Sequence, residues 1–134
     1  MARGDKDMLL LAAGVAISKD DRRTFRLGAV GMRSDGVLVS ALNGPTKIPC
    51  PDAHAEARLI SKLTFESTVW VARVIADGKL AIARPCKFCM CRLRSKRVSR
   101  IVYTISDDEY GVIDIGSAGN CFDDRIKRGA NINL

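Results

Sequence analysis

Apolar positions recur every three or four residues at the start of the chain, and the pattern then changes to an extended one. Apolar residues on one helical face predict a first helix over residues 5–18. Residues 26–32 and 37–42 predict two strands joined by a tight Ser-Asp-Gly turn at residues 34–36, which is typical of a hairpin. The residues that define the helical face are Met8, Leu11, Ala12, Val15 and Ala16.

The middle of the chain alternates between helical and extended patterns. Residues 43–52 contain three prolines and a glycine and therefore predict a loop. Asp52 is a suitable N-cap for a second helix. Residues 67–78 are rich in β-branched side chains and predict a strand with a turn at its end, after which residues 79–83 run back. The apolar stripe of the second helix consists of Ala55, Leu59, Ile60 and Leu63.

A third helix and two more strands complete the pattern. Pro85 suits the first turn of a helix, where its missing N–H costs nothing, and residues 100–106 and 110–116 predict strands. The tail from about residue 117 has too few apolar residues for a prediction. The order of elements predicts one α/β domain over residues 1–134, with helices covering a mixed sheet.

The N-terminus raises the question of a secretory signal, because a basic start precedes an apolar stretch. Asp5 and Asp7 interrupt that start and no cleavage site follows, so an amphipathic helix and a cytoplasmic protein are predicted. No apolar run approaches the ~18 residues that a membrane span needs. In a reducing compartment five cysteines suggest thiols or metal ligands more than disulfides.

The charge balance favours anionic partners. The net charge is +7 and the pI is about 9.5. Residues 84–100 contain seven basic and no acidic side chains. This run is interpreted as a solvated helix face, or as a face paired with acids on a neighbouring subunit, with a phosphate or polynucleotide surface as the alternative. Aromatic residues are only 5% of the chain, which disfavours a dedicated single-strand-binding module, since such modules stack bases on aromatic rings.

Two cysteines and one histidine form a candidate zinc site. Cys86 and Cys89 lie three positions apart, so on a helix both sulfurs can contact one ion, and the unpaired amides at a helix start favour thiolate. Zinc accepts sulfur and imidazole ligands, and three protein ligands leave a fourth position for water. His54 completes such a set. The chain between His54 and Cys86 has room for a helix and a strand, so both ligand-bearing helices would start at one sheet edge.

Glu56 lies two positions after His54. In mid-helix the two side chains would point apart, by about 200°, but in a first turn they can flank a site in front of the helix. A carboxylate in that place can take a proton from a metal-bound water while staying outside the coordination shell. The chemistry that follows is hydrolytic deamination, in which an exocyclic amine leaves a ring carbon as ammonia.

Each of these residues also has a simpler interpretation. A single histidine is usually a packing or surface residue, and a helix glutamate is usually solvated. A C-x-x-C pair also serves in redox proteins, and a fourth ligand such as Cys50 would make a closed structural zinc site. Cys91 is interpreted as a small apolar filler and Trp70 as a core or interface residue. The combination of both motifs favours the metal interpretation over these alternatives.

The segments "HAE" at residues 54–56 and "PCKFC" at residues 85–89 match the H-x-E and P-C-x-x-C signature. The chain thus resembles the zinc-dependent cytidine and deoxycytidylate deaminase superfamily, over roughly residues 5–106. The resemblance implies a three-layer α/β/α domain with a mixed sheet of about five strands and helices on both faces. It also implies that members assemble as homo-oligomers.

The resemblance assigns roles to the matching positions. His54, Cys86 and Cys89 would be the ligands of one Zn²⁺ per chain, and Glu56 would be the catalytic proton shuttle. The substrate contacts are predicted separately.

Three positions are predicted to bind substrate. Asn43 ends the first hairpin, where the family contacts the nucleoside, although Asn-Gly is also a common turn. The backbone amide of Ala55 would orient the target base. Arg84 lies next to the start of the helix that carries Cys86 and Cys89. It is predicted, with Lys87 as the alternative, to contact a substrate phosphate. Deoxycytidylate and transfer-RNA adenosine deaminases usually carry a smaller or acidic residue at the position of Arg84.

The predicted activity is deamination of a free cytosine nucleotide or nucleoside to the uracil form. Deoxycytidylate is favoured, because its 5′-phosphate suits the basic surface. One alternative is deamination of cytosine or adenine within RNA or single-stranded DNA. A second is a non-catalytic, zinc-stabilised domain that binds nucleic acid. The predicted partners are a small-molecule nucleotide or nucleoside, or a polynucleotide, together with further copies of the chain and no membrane.

Overall fold

The computed structural model describes residues 4–17, 26–42, 59–64, 66–75, 77–85, 87–115, 124–129 and 131–132. Within these residues the regular elements follow one another in the predicted order. Residues 59–60 are helical as well, and they belong to the segment that was predicted as the second helix. The elements are α1 (Asp5–Ala16), β1 (Arg26–Met32), β2 (Leu38–Leu42), β3 (Thr68–Val74), β4 (Leu80–Ala81), α2 (Lys87–Ser95), β5 (Arg100–Thr104), β6 (Tyr110–Asp114) and β7 (Asp124–Lys127).

The described strands form one mixed sheet in the order β2-β1-β3-β5-β6-β7, with β4 paired to β3. β3 and β5 run parallel, and the other described pairs are antiparallel. The mixed sheet is therefore confirmed, and it has seven strands in the described residues where about five were expected. The additional strands are short: β4 has 2 residues and β7 has 4.

Two apolar clusters lie on opposite faces of this sheet. Successive strand residues point to opposite faces. Val69 and Val71 of β3 belong to a cluster with Met90 and Leu93 of α2. The alternate β3 residues belong to a second cluster, which contains the buried face of α1. The described residues thus confirm the predicted layers of helix, sheet and helix. The β3 residues on the α1 side are Trp70, Ala72 and Val74.

A glycine in β1 lets α1 approach the sheet closely. A Cβ atom built on Gly28 would lie 2.2 Å from the carbonyl oxygen of Ala12 and 2.5 Å from the backbone nitrogen of Ala16. Both are backbone atoms of α1, so a side chain at this position would have to displace the helix. The small residues of α1 and Gly28 together set the distance between the first helix and the sheet.

An ion pair fixes the start of α1. Both oxygens of Asp5 accept hydrogen bonds from the guanidinium of Arg100 on β5, and Oδ1 also accepts one from Nε1 of Trp70 at 3.0 Å. Partial burial would raise the pKa of Asp5, but these hydrogen bonds and the Arg100 charge lower it below its ordinary value. Trp70 is a core residue, as predicted, with 5% of its surface exposed.

Several element limits differ from the prediction. The helix that was expected to contain Leu63 ends at residue 60, and Leu63 is buried in the turn that follows. In α1 the buried face includes Leu9 and Ala13, whereas the predicted face residue Leu11 is exposed. The helix has apolar residues on both sides of Leu11, so spacing alone did not determine which stripe faces the sheet.

Within the described part of the chain, no helix combines the length and apolar character required to cross a membrane.

Replacing Gly28 with alanine is predicted to lower the free energy of unfolding by about 1–3 kcal/mol, since the new methyl group would collide with the α1 backbone. Gly14→Ala is the matched control, because Gly14 lies on α1, the helix that packs against Gly28, and nothing lies within 4 Å of its added Cβ. It is predicted to raise stability by roughly 0.5–1 kcal/mol through helix propensity. Urea unfolding measures both values, and equal midpoints for the two variants would contradict this packing.

The stability contributed by Asp5 is predicted to depend on pH. Because its pKa is lower in the folded state than its ordinary value of 3.8, the contribution is complete above that value and is lost as the pH falls through the lower folded value. The difference in unfolding free energy between the wild type and Asp5→Asn, measured from pH 7 to pH 2, should therefore shrink at the acidic end. A difference that stays constant over this range would refute the assignment.

Candidate functional site

Cys89 and Arg84 are the predicted site residues that the structure describes. Cys89 is the third residue of α2, and Arg84 lies just before that helix. The roles of the other predicted site residues stay predictions. The predicted site residues outside the described part of the chain are Asn43, His54, Ala55, Glu56 and Cys86.

The side chain of Cys89 is fully buried in the first turn of α2. That turn contains no acidic residue, so no carboxylate within it opposes a thiolate. A buried sulfur at a helix start is a ligand of the kind that zinc accepts, and with a second cysteine and an imidazole it would form a catalytic donor set. Among the described residues no three histidine, cysteine, aspartate or glutamate side chains form a metal-binding group.

The helix that ends at residue 60 lies beside α2 on the same face of the sheet. Leu59 belongs to the same apolar cluster as Met90 and Leu93 of α2. An open groove runs between the two helices, and its lining comes from both of them. The groove residues are Ile60, Cys91, Arg92, Ser95 and Lys96.

The two helices also end at the same edge of the sheet. The backbone N–H of Glu66 donates to the carbonyl of Arg97 at 2.9 Å, and Ser99 N–H donates to the carbonyl of Ser67 at 2.9 Å. These contacts join the chain after each helix, immediately before β3 and β5 begin. α2 therefore runs back along the parallel pair and starts near the edge where β3 and β5 end. Its 9 residues rise about 13 Å, comparable with the length of β5.

The end of β5 holds the chain that leads into α2. The N–H of Ala83 donates to the carbonyl of Thr104 at 2.9 Å. The hydroxyl of Thr104 donates to the carbonyl of Ala81 at 2.8 Å and accepts the N–H of Arg73 at 3.2 Å. Thr104 is fully buried. Its hydroxyl therefore connects β3, β4 and β5 at the edge from which α2 departs.

Arg84 is held by an acidic residue of β7. Its Nε donates to Oδ2 of Asp124 at 2.8 Å and its Nη2 approaches Oδ1 at 3.4 Å. The hydroxyl of Tyr103, at the end of β5, donates to the same Oδ2. Burial and the hydrogen bond to Asp124 raise the pKa of Tyr103 to about 12. Burial alone would raise the pKa of Asp124, but its bonds from Arg84 and Tyr103 lower it.

The basic run is therefore ion-paired at both ends with acids of its own chain. Arg84 pairs with Asp124, and Arg100 pairs with Asp5. This agrees with the interpretation of an ion-paired face, except that the acids come from the same chain and not from a neighbouring subunit. A contact between Arg84 and a substrate phosphate stays a prediction. The interpretation of Cys91 as an apolar filler is wrong, because its side chain is exposed in the groove beside α2.

Sequence reasoning missed Tyr103, Thr104 and Asp124. The first two lie in a predicted strand, where their polar groups gave no sign of which neighbours they would meet. Asp124 lies in the tail for which no structure was predicted. The register of β6 and β7, in which Ile113 faces Asp124, brings that carboxylate to the α2 side of the sheet.

No protein-family model and no curated protein matches the chain. Two crystal structures of cytidine deaminase from Mycobacterium tuberculosis, one of them a mutant, are similar to part of it. In each case the identity is 21%, the match covers 74% of this chain and 80% of that chain, and the TM-score is 0.44. Similarity at this level assigns neither an activity nor a ligand to this chain.

Replacing Thr104 with valine is predicted to cost about 1–3 kcal/mol, because it leaves the carbonyl of Ala81 and the N–H of Arg73 without their buried partner. Thr104→Ser keeps the hydroxyl and should lose less. Chemical unfolding of both variants tests this order, and a valine variant as stable as the wild type would show that the hydroxyl is dispensable.

Proposed function

We propose that the protein is a zinc-dependent hydrolase that deaminates a cytosine nucleotide or nucleoside, releasing ammonia and leaving the uracil form. Deoxycytidylate is the favoured substrate. The proposal starts from the paired H-x-E and P-C-x-x-C motifs of the sequence. The described residues support it through the packing of the helices that follow these motifs.

The observation that carries the proposal is that two helical segments on one face of the sheet end at the same edge. The chain after each segment is hydrogen bonded at the edge where β3 and β5 begin, through Glu66 and Arg97 and through Ser67 and Ser99. α2 therefore starts towards the opposite edge, and we propose that the helix ending at residue 60 starts there as well. In an open α/β sheet, the ends of parallel strands are the usual location of binding sites. The H-x-E motif precedes one of these helices, and the P-C-x-x-C motif starts the other.

The proposed ligands of the zinc are His54, Cys86 and Cys89, a donor set of one imidazole and two thiolates that suits a catalytic ion. When bound, zinc would supply Lewis-acid activation of water at neutral pH. Cys89 is buried, so as a zinc-bound thiolate its charge would be balanced by the ion.

The proposed role of Glu56 is proton transfer. Its carboxylate takes a proton from the attacking water, delivers it to the ring nitrogen, and assists protonation of the departing amine. One water is consumed and one ammonia is released, so the reaction needs no other reactant. Asn43 would bind the sugar or the base, and the backbone amide of Ala55 would orient the base.

The basic character of the chain supports an anionic substrate, with a net charge of +7. Arg92 and Arg94 are exposed in the last turn of α2, so this helix presents a cationic surface towards the end opposite the proposed site. That surface is also the observation that favours the second candidate, a deaminase acting on cytosine or adenine within RNA or single-stranded DNA. Assembly as a homo-oligomer and a cytoplasmic location are part of the same proposal.

Glu56→Gln is predicted to lower turnover by roughly 10²–10⁴-fold, because the amide cannot carry the proton, while zinc content stays at one ion per chain. Ammonia release measures turnover, and metal analysis measures zinc. Glu66→Gln is the matched control, since Glu66 is exposed at the opposite end of the domain near the helix ends. Unchanged turnover in the Glu56 variant would remove this residue from the mechanism.

A substrate panel separates the candidate functions. Purified protein is incubated with dCMP, dCTP, cytidine, and short RNA and DNA oligonucleotides that contain cytosine or adenine. The proposal expects ammonia from the free nucleotides, with dCMP the best substrate. Ammonia only from an oligonucleotide would establish the second candidate, and a zinc-loaded protein inactive on every compound would establish a non-catalytic domain.

A further inference from the structure

Side chains from three separate parts of the chain meet beside the start of α2. Arg84 lies in the segment between β4 and α2, Tyr103 lies at the end of β5, and Asp124 is the first residue of β7. Asp124 accepts hydrogen bonds from both of the other side chains. The contact with Arg84 involves both carboxylate oxygens, since Nη2 approaches Oδ1 at 3.4 Å, and a two-pronged contact of this kind orients the guanidinium.

The segment that carries Arg84 has little freedom of its own. Ala83 is buried, and its backbone N–H is bonded to the carbonyl of Thr104. Pro85 is buried too, and its ring fixes its own φ angle and restricts the residue before it. The hydrogen bonds from Arg84 to Asp124 therefore attach a segment that is already restricted to a third point of the sheet, on β7.

The contact with Tyr103 depends on a glycine. A Cβ atom on Gly111 would lie 2.2 Å from Cζ and 2.4 Å from the hydroxyl oxygen of Tyr103. The phenol ring therefore passes directly over Gly111 on β6 and reaches β7 beyond it. In this way Tyr103 of β5 contacts Asp124 of β7, although these two strands are not neighbours in the sheet.

We propose that Asp124 and Tyr103 are positioning residues, which hold Arg84 and, through it, the segment entering α2 in the place that the proposed active site requires. The inference rests on the proposed deaminase function and deepens it. It assigns to Asp124, and thus to β7, a role in holding the start of α2 in place. It also makes Arg84 a structural anchor, since its charge is already balanced by Asp124.

The proposal has a kinetic signature that differs from phosphate binding by Arg84. A misplaced catalytic segment lowers kcat for every substrate, whereas loss of a phosphate contact raises KM for nucleotides alone. Asp124→Asn is predicted to lower kcat by roughly 10–100-fold on dCMP and cytidine alike, with KM changed less than kcat. Tyr103→Phe should act in the same direction. In the double variant the losses should be less than additive, because both variants release the same arginine.

Arg125→Gln is the matched control. Arg125 is the next residue of β7 and pairs with Asp114, which also approaches Arg100 on the α1 side of the sheet. The control therefore removes an ion pair between β6 and β7 without touching Arg84, and it should retain wild-type kcat. Three results would each overturn the inference: equal kinetics for the Asp124 and Arg125 variants, fully additive losses, or a KM effect confined to nucleotides.

Hydrogen exchange provides a readout that needs no activity. Amide exchange in a peptide spanning residues 82–91 should be faster in Asp124→Asn and Tyr103→Phe than in the wild type, and unchanged in Arg125→Gln. If the wild type deaminates no compound, the proposed function fails, and faster exchange still supports the positioning role. If the wild type is active and exchange is unchanged in every variant, the function stands and the positioning role is wrong.

Discussion

The parallel pairing of β3 with β5 is the constraint on which the arrangement of this domain depends. Two parallel neighbours cannot be joined by a tight turn, so the chain has to return from the end of β3 to the start of β5. Here the return consists of β4, a short extended segment and α2. That path fixes the start of α2 at one edge and its end at the other. The helix ending at residue 60 leads into β3 from the same edge at which α2 ends.

Hydrogen bonds at the end of β5 turn this topology into a defined geometry. Thr104 binds backbone groups of β3, of β4 and of the segment before α2. Tyr103, its neighbour, reaches across Gly111 to Asp124. Two successive residues of β5 thus hold the segment between β4 and α2. Thr104 does so through its carbonyl and hydroxyl groups, and Tyr103 does so through Asp124, the partner of Arg84. On the other face, Asp5 and Arg100 connect α1 to the start of the same strand.

Much of the fold could be predicted from local pattern. The limits of β1 match the prediction because the strand carries apolar residues throughout and a clear turn follows it. β7 could not be predicted, since its sequence Asp-Arg-Ile-Lys has one apolar residue and its pairing depends on β6. The partner of Arg84 could not be predicted either, because the local sequence around residues 84 and 124 contains no pattern that indicates a contact between them. Cys89 was identified by motif and is buried in the first turn of α2, and its role as a ligand stays a prediction.

X-ray absorption at the zinc edge of the purified protein measures the ligands of the proposed metal centre. We expect about one zinc per chain with two sulfur ligands at about 2.3 Å, one imidazole nitrogen at about 2.0 Å, and one further light atom from solvent. A third sulfur in the shell would indicate a closed structural site, and protein that binds no zinc would contradict the proposed metal centre outright.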